Sequence, residues 1–162
     1  LELEGKIHVN ERREYARADV NIRLIYSLPS SQEMGRIMNE WEELKKCPGN
    51  CLKVDIPPCR SDCRGKALKS TLTRANLSGN GLRFKIRDCL SYGTLLHLKI
   101  AIPDDGPDHI HAVGSIVRTR ELLPSMEQHD YYSTSVAFRI IDSPDRNKLM
   151  EYVLKEQRRA IL

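Results

Sequence analysis

The chain has 162 residues, with 26 Lys and Arg against 22 Asp and Glu, a net charge of +4, and 40% hydrophobic residues. That length buries one good core and is short for two, and so mixed a surface charge gives only a modest bias toward anionic partners. No stretch is apolar enough for long enough to cross a bilayer or to act as a secretory leader, so the expectation is one domain spanning 1–162, cytoplasmic and without a membrane partner.

The amino-terminal segment is basic. Arg12, Arg13 and Arg17 cluster in NERREYAR, ahead of the first alternation, and by itself such a cluster reads as a solvated entry to a strand. Val20, Ile22 and Leu24 then alternate with Asn21 and Arg23, the period of a half-buried strand. Over 31–46 the period changes: Met34, Ile37, Met38, Trp41 and Leu44 recur at helical spacing, and Ser30 with Glu33 has the form of a capping box. The Met and Trp stripe reads as a packing face, turned toward the rest of the domain or toward a second copy of the chain.

The run CPGNCLKVDIPPCRSDC follows, with Cys47-x3-Cys51-x7-Cys59-x3-Cys63 spacing. Four thiolates in two close pairs can hold one tetrahedral zinc, and Pro48, Pro57 and Pro58 stiffen the loop that presents them. The same four thiolates suit an iron–sulfur cluster, and a thiol-rich surface loop that holds nothing is the third reading. Cys89, alone after a strand, is unrelated to the run.

From residue 66 onward the chain reads as strands. A less regular run at 66–77 leads into the turn NLSGNG, whose Asn80-Gly81 pair suits a hairpin because both residues tolerate positive backbone dihedrals. Leu82, Phe84 and Ile86 alternate with Arg83, Lys85 and Arg87. Leu96, Leu98, Ile100 and Ile102 form the next run, then Ile110 to Thr119 and Tyr132 to Ile140, with Gly, Pro, Asp and Asn at the joins. Ser143-Pro144-Asp145 opens a helix over 143–159 that carries Leu149, Met150 and Val153. The sum is a mainly β domain: a six-stranded antiparallel barrel with a carboxy-terminal helix, and a helical, Cys-rich insert over 27–65 between the first two strands.

Two motifs acquire a joint meaning in this order. Arg13-x-x-x-Arg17 ahead of the first strand and Asn76-x-Ser78-x-x-Gly81 at a strand end resemble the two-part signature of the PilZ domain family, which binds the bacterial second messenger cyclic di-GMP. The strand ending IVRTREL, the last strand with SVAF and the closing helix extend the resemblance from residue 11 to about 155. It implies a non-enzymatic receptor that changes conformation on binding cyclic di-GMP and so regulates a protein partner. The segment 11–18 would fold its guanidiniums over the ligand, Arg12 would help to hold a second, intercalated ligand molecule, and Asn76, Ser78 and Gly81 would meet the guanine edge. Ser135 stands where the family usually carries glycine, and the insert replaces a much shorter connection.

The chemistry suits those residue types. A cyclic dinucleotide offers two phosphates and guanine edges whose O6 and N7 accept, and an arginine fork can pair bidentately with either or stack on the purine. Enzyme motifs are wanting: His8, His97, His109, His111 and His129 are scattered, HIH at 109–111 reads as exposed strand histidines, and there is no Gly-rich phosphate loop, nucleophile elbow or HExxH. The rival is a small-barrel nucleic-acid or protein-interaction module, with Arg83, Lys85 and Arg87 along a phosphate backbone. Phe84 between them should face inward, which leaves that rival without a stacking platform and makes nucleic acid an unexpected partner.

Overall fold

The computed structural model describes residues 14–46, 71–103, 109–122 and 131–161. In chain order the elements are β1 (Arg17–Ser27), α1 (Met34–Lys45), β2 (Thr71–Ser78), β3 (Gly81–Ile86), β4 (Leu95–Ala101), β5 (Ile110–Glu121), β6 (Tyr132–Ile141) and α2 (Ser143–Ile161). The strands close into an antiparallel barrel in the order β1-β2-β3-β6-β5-β4, which leaves no free sheet edge. β1 makes closure possible by serving two neighbours: its first part pairs with β2, from Arg17 opposite Ser78, and its end pairs with β4, up to Ser27 opposite His97. The predicted barrel and both predicted helices are present. The helices run Met34–Lys45 and Ser143–Ile161 rather than 31–46 and 143–159.

Alternation fills the barrel as the sequence predicts. Val20, Ile22 and Leu24 of β1, Leu82, Phe84 and Ile86 of β3, and Leu96, Leu98 and Ile100 of β4 form one buried cluster with Leu149, Tyr152 and Val153 of α2, which packs against β1 and β2 and stops one end of the barrel. Asp145 in the first turn of α2 and Arg158 and Arg159 in its last turn complement the helix dipole.

α1 covers part of the barrel's outside. Ile37 and Trp41 pack on Val113, with Met38, Leu95 and Ile140 around them. The helix is also tied by polar contacts: Leu95 N donates to Gln32 Oε1 at 2.8 Å, and Lys45 Nζ bonds Asp142 Oδ2 at 3.1 Å. The apolar stripe therefore faces the chain's own barrel, and only Met34 of it is left exposed.

Four expectations change. Ser30 and Glu33 form no capping box: the N-cap is Glu33 with no side-chain cap bond, and Ser30 Oγ instead bonds Glu40, which also reaches His97 Nε2 at 3.1 Å. His111 is buried rather than exposed, as are His97 and Lys99; of these His97 meets Glu40 of α1, the helix that packs on this outer face of the barrel. Arg17 is the first residue of β1 and not a residue before it. Among the described residues the glycine with positive φ is Gly93 (φ 84), in the turn between β3 and β4, and not Gly81.

Two bulges break the alternation. β6 carries an extra residue, Arg139, between Ile140 opposite Val113 and Phe138 opposite Gly114; β5 carries one, Val117, between Ile116 opposite Val136 and Arg118 opposite Ser135. Each bulge flips the faces beyond it. The first turns Ile140 outward to meet α1, and the second turns Arg118 out of the core.

Candidate functional site

The hairpin between β2 and β3 is the centre of the site. Its two turn residues are Gly79 and Asn80, with Ser78 opposite Gly81. Ser78 is 3% exposed, and its hydroxyl is engaged within the turn: Oγ donates to Asn80 Oδ1 at 2.6 Å and accepts from Asn80 N at 3.3 Å. The side chain thus fixes the turn's shape. Gly81 is required for a reason other than its dihedral freedom. A Cβ there would lie 2.2 Å from Val136 O of β6, so any side chain would force β3 and β6 apart.

From this hairpin a row of residues runs across five strands on the barrel's outer face. Asp19 of β1 is opposite Asn76 of β2, Asn76 opposite Arg83 of β3, Arg83 opposite Ser135 of β6, and Ser135 opposite Arg118 of β5. Asn76 Nδ2 donates to Asp19 Oδ1 at 3.0 Å. Because a carboxylate only accepts, this bond sets the amide's orientation and leaves Oδ1 as the acceptor for an incoming group. One row nearer the turn lie Arg17, Ser78, Gly81 and Ala137.

Arg17, Asn76, Ser78, Gly81, Arg83, Ser135 and Arg118 line one open cavity of about 370 Å³. With Asn80, which also lines it, three guanidiniums and two amides thus meet on a surface whose backbone is held by a closed sheet. None of the three arginines takes part in an ion pair among the described residues.

The chain just before β1 is fastened beside the same hairpin. A side chain added at Gly79 would come within 3.0 Å of the Tyr15 ring and 2.7 Å of Met150 Cγ, so Tyr15 and α2 both lie against the turn. The Arg146 guanidinium is 5.9 Å from the centre of the Tyr15 ring, and Gln157 Nε2 donates to the Arg17 carbonyl at 2.7 Å. These contacts join the groove, the start of β1 and α2.

Of the six predicted ligand residues, Arg17, Asn76, Ser78 and Gly81 are brought together here; Arg12 and Arg13 lie outside the described residues. So do Cys47, Cys51, Cys59 and Cys63, and no group of three or more His, Cys, Asp or Glu among the described residues could hold a metal ion. Sequence reasoning missed Asp19 and Tyr15, which carry no motif of their own, and placed Arg83 only on a nucleic-acid rival. Arg118 was hidden by the bulge, since plain alternation along β5 assigns it to the core.

The architecture is a small closed barrel with a polar, arginine-lined groove on its outer face, held by β strands. The chain belongs to the PilZ domain family, whose model matches residues 56–155, more than half of its length. The match begins after β1, so the arginine segment lies outside it. No curated protein matches the sequence. Among solved structures, a tetrameric PilZ domain protein from Xanthomonas campestris aligns at 12% identity over 92% of both chains, with a TM-score of 0.54. The inhibitor of motility (MotI/DgrA) of Bacillus subtilis aligns at 16% identity over 91% of this chain, with a TM-score of 0.52; this chain spans about half, 52%, of that one. The PilZ domain with c-di-GMP of YcgR from Escherichia coli aligns at 12% identity over 92% of this chain and 94% of that one, with a TM-score of 0.49. Among the described residues no helix is long and apolar enough to cross a membrane.

Proposed function

We propose that this chain is a receptor for cyclic di-GMP that binds the dinucleotide in the groove on the outer face of β2, β3, β6 and β5. One observation carries the reading: Arg17, Asn76, Ser78 and Gly81, drawn from two motifs some sixty residues apart, line a single cavity. Arg17 supplies a fork for phosphate or for guanine O6 and N7. Asn76, with its amide donor given to Asp19, accepts from the guanine N1–H or its exocyclic amine. Ser78 and Gly81 keep the hairpin close to β6, which leaves the ligand a flat floor.

Arg13 joins Arg17 in the clamp, and Arg12 holds a second ligand molecule. Binding draws the arginines that precede Tyr15 onto the ligand, and because Tyr15 and the Arg17 carbonyl contact α2, the surface around α2 is the part a protein partner reads. The receptor is not an enzyme: it holds its ligand by charge-assisted bonds and has no reaction to perform.

Titration calorimetry with cyclic di-GMP, GTP and single-stranded RNA at two salt concentrations tests the reading. Cyclic di-GMP should bind, with stoichiometry falling from two toward one in Arg12→Ala, and GTP should not. RNA binding with a steep salt slope and no dinucleotide binding would replace the receptor with a nucleic-acid module. Phe84 argues against that outcome, since at 3% exposure it offers no stacking platform between Arg83 and Lys85.

A further inference from the structure

The bulge in β5 gives the groove a further arginine, Arg118, across from Arg83 of β3. Ile110, Ala112 and Ile116 belong to the barrel core, and strict alternation would carry residues 118 and 120 inward after them. Instead Val117 is inserted, so that Val117 and Arg118 together oppose Ser135, and Arg118 and Arg120 are both exposed. Bulges commonly re-aim a side chain beside a functional site. Arg118 is re-aimed into the cavity, where Arg83 lines the other side of Ser135.

We propose that Arg83 and Arg118 grip the phosphates of the cyclic dinucleotide from the barrel side, a role that rests on the receptor reading above. Their Cα atoms are two strand spacings apart, about 10 Å, with a small residue between them and room above it for a ligand. Among the described residues neither guanidinium is paired with a carboxylate, so both are available to an anion placed between them. Each guanidinium presents a fork that matches a phosphate's oxygens. The ligand carries two phosphates, so the barrel grips it independently of the segment that precedes β1.

The test is calorimetry and thermal melting of the whole chain with cyclic di-GMP, comparing Arg83→Gln, Arg118→Gln and Arg118→Lys with the unaltered protein. Arg74→Gln serves as a control, because Arg74 is exposed on β2 but bonds Asn21 at 3.5 Å and does not line the cavity. Each Gln variant should bind about ten- to a hundredfold more weakly, with a shallower salt dependence and unchanged melting of the free protein. Arg118→Lys should recover part of the loss by restoring charge without the fork, and Arg74→Gln should bind as the unaltered protein does. If both Gln variants bind within twofold of it, the barrel-side grip is overturned while the receptor reading stands. An equal loss in Arg74→Gln would also overturn the grip, by making the effect one of general surface charge. Absence of binding in the unaltered protein would overturn the grip and the receptor reading together.

Discussion

Asp19 shows how much a single unremarked residue can set. Its carboxylate is exposed, beside a groove argued to take a dianion, and on charge alone it opposes the ligand. Its bond from Asn76 Nδ2 is what orients the amide. Two substitutions separate these effects. Asp19→Asn keeps an acceptor oxygen and removes the charge, so cyclic di-GMP should bind at least as tightly as to the unaltered chain. Asp19→Ala removes the acceptor, frees the amide to rotate, and should weaken binding about three- to tenfold through the loss of one oriented hydrogen bond. Melting should barely change in either, since the pair is exposed. Calorimetry in which Asp19→Ala binds no worse than Asp19→Asn would leave Asn76 oriented by something else.

Among the elements, α1 is distinctive because it buries a carboxylate, Glu40, alongside the apolar Ile37, Trp41 and Leu44. Ile37 and Trp41 pack on Val113, while Glu40 meets Ser30 and His97, and His111 and Lys99, both buried, oppose one another on the β4–β5 ladder. Burial depresses the His111 pKa to about 4, helped by the positive charges of Lys99, His109, Lys45 and His97. His97 is also depressed by burial, against the pull of Glu40. An unfolded histidine takes up its proton near pH 6.5, whereas folded His111 resists it down to about pH 4. The folded state therefore binds fewer protons in that window. The stability involved is fully present above about pH 6.5 and is lost as pH falls from there toward 4, by at most about 1.4 kcal/mol per pH unit from one group. Denaturant titrations at pH 7.5, 6 and 5 should show this decline, and His111→Gln should flatten it. A midpoint constant from pH 7.5 to 5 in the unaltered chain would contradict the burial of a neutral His111.

At the scale of the whole molecule, the closed barrel separates stability from binding. The core lies inside, the proposed site lies on the outer face, and the helices stop one end and cover one side. Ligand binding should consequently leave the strand register intact and act as simple mass action on unfolding. Cyclic di-GMP at a hundred times its Kd should add about 2.7 kcal/mol, which for a chain of this size raises the melting temperature by roughly 5 to 10 °C. GTP at the same concentration should give no shift. A melting temperature that falls with cyclic di-GMP would mean that the ligand prefers an opened barrel.

The sequence by itself determined the parts that depend on near neighbours along the chain. Period-two alternation around Val20, Phe84 and Leu98 fixed which side chains fill the barrel, helical spacing fixed α1 and α2, and the Arg and Asn-x-Ser-x-x-Gly motifs located the hairpin around which the groove forms. Only the tertiary structure decided what depends on strands meeting across the sheet. The register brings Asp19 to Asn76 and Arg83 to Arg118 through Ser135, and pairings between residues tens of positions apart leave no mark on local periodicity. The bulge at Val117 could not be read because an extra residue shifts the period without changing composition. The burial of His97 could not be read either, because it meets Glu40 of a helix elsewhere in the chain that packs on a strand face the alternation assigns to water. Gly81 shows both sources at once: its place in a motif is legible in the chain, but the 2.2 Å approach to the Val136 carbonyl that excludes any side chain exists only once β3 and β6 are paired.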